Sequence, residues 1–176
     1  MRIASLFSGA GGLDLGFAQA GHRIVWANDL YADATATYKR NIGDHIVCTD
    51  IREVPSSDIP DCDMVIGGFP CQGFSVANTK RSVGDSRNAL YRELLRVIRD
   101  KRPAFFLAEN VKGLLHFDEG RVFKMILRDF EAAGYRVTHR LFNSADFGVP
   151  QRRERVIVVG TRKELDYEFS FPEPTH

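Results

Sequence analysis

The sequence IASLFSGAGGLDLGFAQAGHRIVWAND at residues 3–29 has the pattern of a complete strand–helix–strand unit. An apolar run at residues 3–7 is followed by a glycine-rich turn, by helical periodicity at residues 13–20, and by a second apolar run at residues 23–28. Gly21 stands where the helix must end. Strands that alternate with helices in this way are typical of a mostly parallel sheet with helices on its faces.

The same alternation continues along the rest of the chain. Further strands are predicted at residues 45–48, 64–67, 104–108, 135–143 and 155–160, and further helices at residues 31–40, 87–100 and 119–133. The last two strands are joined by residues 144–153, which lack helical periodicity, so these strands are predicted to pair in antiparallel fashion. We therefore expect an α/β fold whose sheet is mostly parallel, with one antiparallel strand near its C-terminal end.

Composition limits the class of protein further. The chain has 176 residues, of which 44% are hydrophobic and 27% charged, as in one soluble globular domain. No apolar run approaches the ~20 residues of a membrane span and no signal peptide is visible, so we expect a cytoplasmic protein without a membrane partner. The three cysteines, Cys48, Cys62 and Cys71, are too irregularly spaced for a disulfide framework or a zinc site.

The charge is unevenly distributed. The formal net charge is +1, but residues 1–70 are net acidic and residues 71–176 are net basic. This asymmetry is compatible with an anionic partner on one side of the molecule and, equally, with ordinary solvated helix faces.

Residues suited to chemistry follow the predicted strands at their carboxyl ends, where an open α/β sheet binds ligands. In strand order they are the glycine loop FSGAGG at residues 7–12, Asn28 and Asp29, Asp50, Pro70 and Cys71, and Glu109 and Asn110. The sequence therefore predicts a nucleophile, several carboxylates and a glycine loop at one edge of the sheet.

The glycine loop and Asp29 together predict a nucleoside cofactor. Glycines let the backbone approach a ligand between a strand and a helix, and Asp29 is placed to hold the ribose hydroxyls. Asp14 stands where a dinucleotide fingerprint needs a third glycine, and a carboxylate there would repel a pyrophosphate. S-adenosylmethionine, which has no phosphate, fits better, with Asp50 available to the adenine amino group. For the glycine loop considered alone, the alternative that it is a tight turn without a ligand remains open.

Three further positions are candidates for catalysis. Cys71 lies in GGFPCQGFS at residues 67–75, a setting that a core cysteine does not require, whereas Cys48 in its apolar strand fits a small buried side chain. Glu109, which ends an apolar strand, is a candidate proton donor or a solvated strand-terminal carboxylate. The arginines of QRRER at residues 151–155 are either surface charges or guanidiniums directed into the same cleft.

In this order, these segments closely resemble the motifs of the cytosine-5 DNA methyltransferases. The matching segments are FSGAGG at 7–12, ND at 28–29, DI at 50–51, GFPCQGFS at 68–75, Arg87 with Leu90, ENV at 109–111 and QRRER at 151–155. The resemblance implies a Rossmann-like sheet that binds S-adenosylmethionine. The positions that it implies as cofactor contacts are Phe7, Gly9, Gly11, Gly12, Asp29, Leu30, Asp50, Ile51, Pro70 and Leu90.

The resemblance also implies a mechanism on double-stranded DNA, without a metal. Cys71 adds to carbon 6 of a cytosine that has been flipped out of the duplex, and Glu109 contacts ring nitrogen 3. Arg155 holds the carbonyl oxygen of the base, and Arg153 supports the same pocket. The positions implied as DNA contacts are Gln72, Ser75 and Asn110.

The sequence departs from the family pattern in three ways. Asp29 replaces the usual glutamate, Asn88 replaces a glycine after Arg87, and no segment resembles a target-recognition domain or the later Gly-Asn motif. We assign residues 1–165 to a catalytic and cofactor-binding domain and residues 166–176 to an exit segment toward a recognition region, which a second polypeptide could carry. Two alternatives stay open, a catalytically silent cofactor- or DNA-binding subunit that needs a partner chain, and an RNA cytosine-5 methyltransferase.

Overall fold

The computed structural model describes residues 1–70 and 90–176. Within these residues one sheet contains the strands β1 (Arg2–Leu6), β2 (Arg23–Asp29), β3 (Ile46–Cys48), β4 (Met64–Gly67), β5 (Phe105–Val111), β6 (Tyr135–Asn143) and β7 (Glu154–Arg162). The spatial order is β3-β2-β1-β4-β5-β7-β6. Neighbouring strands from β3 to β5 pair in parallel, whereas β7 is antiparallel to both β5 and β6. This confirms the predicted sheet with its one antiparallel strand.

The described α-helices are α1 (Gly12–Gln19), α2 (Ala32–Asn41), α3 (Leu90–Lys101) and α4 (Arg121–Ala132). The predicted start of the third helix at Arg87 lies outside the described residues. The fourth helix begins later than predicted, because Asp118 and Glu119 have positive φ values of 50° and 54°. An α-helix cannot run through such left-handed residues, so a separate short turn, Phe117–Gly120, precedes α4.

Alternate residues of the central strands enter two separate cores. Ala4, Val65 and Phe106 join the core beneath α3 and α4, whereas Ile3 and Met64 join the core beneath α1 and α2. This division follows from the two-residue period of a strand, which sends successive side chains to opposite faces of the sheet. None of the described helices is both long and apolar enough to cross a membrane.

Residues 166–176 contain no helix or strand but lie against the domain. The Arg136 guanidinium donates to the carbonyls of Leu165 at 2.6 Å and Tyr167 at 2.9 Å, and the Tyr167 ring meets Phe105 edge-on with centroids 5.5 Å apart. The backbone N–H of Thr175 donates to the Asp146 carbonyl at 3.0 Å. The role of this segment as an exit toward a recognition region stays a prediction.

Candidate active site

The glycine loop between β1 and α1 uses two of its glycines in different ways. Gly9 has a φ of +55°, and a side chain there would meet nothing within 4 Å, so its backbone borders open space. At Gly11, with φ +89°, a Cβ would lie 2.1 Å from Ile42 Cδ1 and 2.8 Å from Tyr38 Cδ2. Gly11 is therefore required for the close packing of α2 on the loop. This packing accounts for Gly11 without the predicted cofactor contact.

Asp29 at the end of β2 holds this loop in place. One of its carboxylate oxygens accepts the N–H of Gly9 at 2.8 Å and the other accepts the N–H of Tyr31 at 2.9 Å. The residue is only 8% exposed. Each carboxylate oxygen can accept a second hydrogen bond, so the predicted contact with ribose hydroxyls is compatible with this arrangement.

A cleft of about 300 Å³ opens beside Asp29 at the carboxyl ends of β1 to β4, and we call it the nucleoside cleft. The predicted cofactor positions that line it are Phe7, Asp29, Leu30, Asp50, Ile51, Pro70 and Leu90. Gly9, Gly11 and Gly12 are not among its described lining residues. The additional residues that line it are Asn28, Tyr31, Thr49, Arg52 and Gly68, which the sequence motifs did not identify as contacts. Apolar walls with carboxylates at the rim suit a nucleoside with a polar ribose edge.

Asp50 is fixed by the short turn that follows it. Its carboxylate accepts the backbone N–H of Arg52 at 2.9 Å and pairs with the guanidinium of the same residue, with Oδ2 to Nη2 at 2.5 Å. The hydrogen bond from the Arg52 side chain holds the pKa of Asp50 below its usual range. Asp50 is thus an anionic acceptor at neutral pH, as an adenine amino group requires.

Arg96 on α3 supports one wall of the nucleoside cleft through hydrogen bonds to the segment of residues 51–56. Its Nη2 donates to the carbonyls of Ile51 and Val54, both at 3.1 Å, and its Nη1 donates to Ser56 Oγ at 2.6 Å. Ile51, which is 3% exposed, lines the cleft. Sequence reasoning did not identify Arg96, because a single arginine in an amphipathic helix gives no signal of such distant partners.

The structure brings the candidate carboxylate and both candidate arginines together at a second cleft, which Glu109 and Arg153 line. Arg155 Nε lies 2.7 Å from Glu109 Oε1, and Arg153 Nη2 lies 3.8 Å from the same oxygen. In the antiparallel register, Arg155 of β7 is opposite Val111, two residues beyond Glu109 on β5. Such diagonal neighbours share one face of a sheet, which explains why the two side chains meet.

This second cleft, of about 600 Å³, adjoins the nucleoside cleft, and we call it the Glu109 cleft. Phe7 and Gly68 line both clefts. A Cβ at Gly68 would lie 3.0 Å from Glu109 Oε2, so the missing side chain leaves room for the carboxylate. A group held in one cleft can therefore face a molecule held in the other.

Asn110 does not occupy the position expected of a DNA contact. It is 3% exposed, its Nδ2 donates to the Phe69 carbonyl at 3.0 Å, and its Oδ1 accepts the Val111 N–H at 2.9 Å. The predicted DNA contact conflicts with this burial, and the structure assigns Asn110 to holding the segment that leads into Pro70. The predicted site residues Cys71, Gln72 and Ser75 lie outside the described residues.

One prediction about a single residue is wrong. Cys48 is exposed rather than buried, because β3 is the outermost strand at its end of the described sheet. The Asp14 carboxylate is fully buried and accepts hydrogen bonds from Ser5 and Tyr38, and its expected repulsion of a pyrophosphate stays a prediction. Among the described residues, no group of three or more His, Cys, Asp or Glu side chains is arranged to hold a metal ion.

Comparison with known proteins decides the family. Residues 1–176 match the family described as C-5 cytosine-specific DNA methylase. The chain belongs to this family. It is 49% identical over 177 residues to the Type II methyltransferase M.NgoFVII of Neisseria gonorrhoeae, an alignment that covers 99% of this chain and 47% of that protein. It is 43% identical over 204 residues to M.BspRI of Lysinibacillus sphaericus, with 99% and 47% covered.

Solved structures agree with this assignment to the C-5 cytosine-specific DNA methylases. A structure described as a DNA modification methyltransferase encoded within an E. coli prophage superposes with a TM-score of 0.84 at 31% identity, covering 97% of this chain and 49% of that one. The S. pombe Dnmt2 methyltransferase, at 24% identity and a TM-score of 0.75 over 96% of this chain and 53% of that one, shares the fold. The chain spans about half the length of the curated relatives it matches.

Proposed function

We propose that this chain is the catalytic portion of a methyltransferase that acts on carbon 5 of cytosine in DNA. The observation that supports the proposal most directly is the pairing of Arg155 at 2.7 Å with Glu109, which lines a cleft that shares Phe7 and Gly68 with the nucleoside cleft. Glu109 would face the base, and the adjoining cleft would hold the methyl donor. Family membership supports both assignments.

The nucleoside cleft fits S-adenosylmethionine, which would supply an electrophilic methyl group. Asp29 would accept hydrogen bonds from the ribose hydroxyls through the free lone pairs of its two oxygens. Asp50, kept anionic by Arg52, would accept one from the adenine amino group. Leu30 and Ile51, which line the cleft, would contact the purine ring.

The protein's own groups would activate the base in an order that conserves atoms and charge. The Cys71 thiolate forms a carbon–sulfur bond at carbon 6, and Glu109 shares a proton with ring nitrogen 3, so the electron pair gathers at carbon 5. Carbon 5 would then form a bond to the methyl group that S-adenosylmethionine supplies, with S-adenosylhomocysteine as the leaving group. Water would take the carbon-5 proton, and the electron pair of that C–H bond would re-form the ring double bond and expel Cys71 as the thiolate. Because a stacked base cannot enter this cleft, the cytosine must first leave the duplex.

Arg155 has enough N–H donors to bind the Glu109 carboxylate and the base at the same time. Its Nε bonds to Glu109 and its Nη1 donates to the Glu154 carbonyl at 2.8 Å. A guanidinium carries five N–H groups, so Arg155 can bind the carbonyl oxygen of the base while it keeps the Glu109 carboxylate in place. Arg153, 3.8 Å from that carboxylate, adds positive charge to the same side of the cleft.

The test is transfer of a labelled methyl group from S-adenosylmethionine to duplex DNA rich in cytosine. The chain is assayed alone and with the other half of the Neisseria relative supplied as a separate polypeptide. We expect transfer in at least the combined sample and none with Cys71→Ala, whose cofactor affinity, measured by calorimetric titration, stays close to wild type. Transfer by Cys71→Ala would refute the mechanism.

The same assay separates the alternatives that remain open. Transfer to a matched tRNA and not to DNA would assign the chain to RNA. Cofactor binding without transfer in either sample would assign it to a silent subunit. Failure to bind S-adenosylmethionine, with the chain folded, would contradict the cofactor assignment itself.

A further inference from the structure

A continuous set of buried hydrogen bonds lies beneath the glycine loop, and we call it the Asp14 network. It consists of Ser5 in β1, Ser8 in the loop, Asp14 in α1, Tyr38 in α2 and His45 just before β3. Ser5 Oγ donates to Asp14 Oδ1 and Tyr38 OH donates to Asp14 Oδ2, both at 2.7 Å. Ser8 Oγ lies 2.9 Å from Ser5 Oγ, and His45 Nε2 lies 3.0 Å from the Tyr38 hydroxyl.

Proton counting fixes the direction of these bonds. An ionised carboxylate only accepts hydrogen bonds, so the single hydroxyl protons of Ser5 and Tyr38 both point at Asp14. The Tyr38 oxygen must then accept from His45 Nε2–H. In the same way, the Ser5 oxygen is left to accept from Ser8. The donors of Ser5, Tyr38 and His45 are therefore oriented toward one carboxylate, whereas the Ser8 hydroxyl also has the Ser5 carbonyl as an acceptor at 3.1 Å.

The burial of Asp14 makes these donors necessary. Asp14 and Tyr38 are 0% exposed and Ser5 is 1% exposed. A carboxylate taken out of water is costly unless hydrogen bonds replace its hydration, so the loss of either hydroxyl leaves an oxygen without its partner. A fold retains such a group where it fixes a geometry that apolar packing alone does not fix.

The network contacts the glycine loop at both ends. At its start, Ser8 accepts the Gly11 N–H through its carbonyl at 2.9 Å and donates its own N–H to the Asn28 carbonyl at 2.9 Å. At its end, Tyr38 packs on Gly11, where a Cβ would lie 2.8 Å from the ring. Between these points Gly9 is bound by Asp29, so the network and Asp29 together determine the course of the loop.

We propose that Asp14, acting through Ser5 and Tyr38, is a positioning residue that sets the glycine loop for S-adenosylmethionine. The proposal rests on the function proposed above. Among the described residues that line the nucleoside cleft, none belongs to the Asp14 network. The loop reaches the nucleoside cleft through Phe7, which precedes Ser8 and lines that cleft, whereas Ser5, Ser8 and Asp14 are among the residues that line the adjoining Glu109 cleft. Asp14 would therefore act on the cofactor site through the loop.

The test compares Tyr38→Phe with Tyr135→Phe in this chain. Tyr135 is a matched control because it is 1% exposed and its hydroxyl also makes a buried hydrogen bond, to the Pro103 carbonyl at 2.8 Å. Both changes delete one buried phenol oxygen and keep the ring. We expect both variants to lose thermal stability, and Tyr38→Phe to lose more, because its hydroxyl donates to a buried carboxylate whereas that of Tyr135 donates to a neutral carbonyl.

Only Tyr38→Phe is expected to change the cofactor site. Loss of one net hydrogen bond that holds the loop should weaken S-adenosylmethionine binding roughly fivefold to tenfold in calorimetric titration. Hydrogen exchange of the backbone amides in residues 8–12 should accelerate in Tyr38→Phe and stay at the wild-type rate in Tyr135→Phe. Ser5→Ala removes the donor to the other oxygen of Asp14 and should likewise weaken cofactor binding and accelerate exchange. It replaces Tyr38→Phe in the test if that variant does not fold.

Equal cofactor affinity and equal exchange in Tyr38→Phe and Tyr135→Phe would overturn the proposal, because the network would then contribute to stability alone. Hydrogen exchange needs no bound cofactor, so the positioning role of Asp14 can be tested separately from the assignment of the cofactor. If the wild-type chain does not bind S-adenosylmethionine, the cofactor assignment fails. The exchange rates of residues 8–12 still decide whether Asp14 positions the loop.

Discussion

Replacing Arg96 by lysine tests whether the wall of the nucleoside cleft depends on α3. Arg96 donates to the carbonyls of Ile51 and Val54 and to the Ser56 hydroxyl, over distances of 2.6 to 3.1 Å. The planar guanidinium reaches these acceptors at once because its N–H groups form a rigid fork. The ammonium of Arg96→Lys is a single point and cannot serve all three.

The structure gives the size of the expected loss. If lysine keeps one of the three bonds, two hydrogen bonds disappear. Because the Arg96 side chain is 30% exposed, we count each at the ordinary value of about 1 kcal/mol, so the free energy of unfolding falls by about 2 kcal/mol. For a domain of this size, that cost lowers Tm by about 4–8 °C. Because Ile51 lines the cleft, we also expect weaker S-adenosylmethionine binding, by roughly fivefold if half of the cost falls on the cleft.

Thermal unfolding and calorimetric titration measure the two effects. Arg99→Lys is the matched control, since Arg99 lies on the same helix and is exposed. We expect Arg99→Lys to leave both Tm and cofactor affinity near their wild-type values. If the two lysine variants behave alike, Arg96 does not support the cleft and the reasoning is refuted.

Three other substitutions test separate parts of the structure. In Gly160→Ala, the new Cβ would lie 1.9 Å from the fully buried Phe106 ring, so chemical denaturation should show a loss of about 3 kcal/mol, and wild-type stability would contradict the packing. In Gly68→Ala, the Cβ would lie 3.0 Å from Glu109 Oε2, so methyl transfer should fall roughly tenfold with Tm little changed; an unchanged rate would argue against a catalytic Glu109. Burial raises the pKa of Asp14 above the model-compound value of 3.8. The wild-type free energy of unfolding should therefore fall, relative to that of Asp14→Asn, as the pH rises from 3.8 through the higher pKa of the folded state. Denaturation curves of both proteins at pH 4 and pH 7 measure this difference, and the opposite trend would contradict the burial of an ionisable Asp14.

The fold was predictable because its determinants are local. Apolar runs with a two-residue period, and helical stretches ended by residues such as Gly21 and Gly134, are visible in short windows of sequence. The rule that ligands bind at the carboxyl ends of parallel strands then identified Asp29, Asp50 and Glu109 as one group. The structure places all three at the two adjoining clefts.

The remaining features depend on partners that are distant in sequence. Gly9 and Gly11 look alike in the motif, and only the position of α2 shows that Gly11 is needed for packing while Gly9 borders open space. Asp14 accepts a hydrogen bond from Tyr38 on another helix, and the buried Asn110 side chain donates one to the Phe69 carbonyl. No local pattern contains this information, because each contact depends on how separate elements pack.

The sheet topology explains why the two clefts meet where they do. From β1 the chain proceeds outward to β2 and β3, and it then returns to place β4 on the other side of β1. Phe7 follows β1 and Gly68 follows β4, so the residues that the clefts share lie at the point where the strand order reverses. Asp29 and Asp50 follow strands on one side of this point, and Glu109 belongs to a strand on the other. Under the proposed function, these carboxylates would contact the cofactor and Glu109 would contact the base. Because Gly68 lines both clefts and has no side chain, nothing from that position fills the space between them, which the proposed methyl transfer would have to cross.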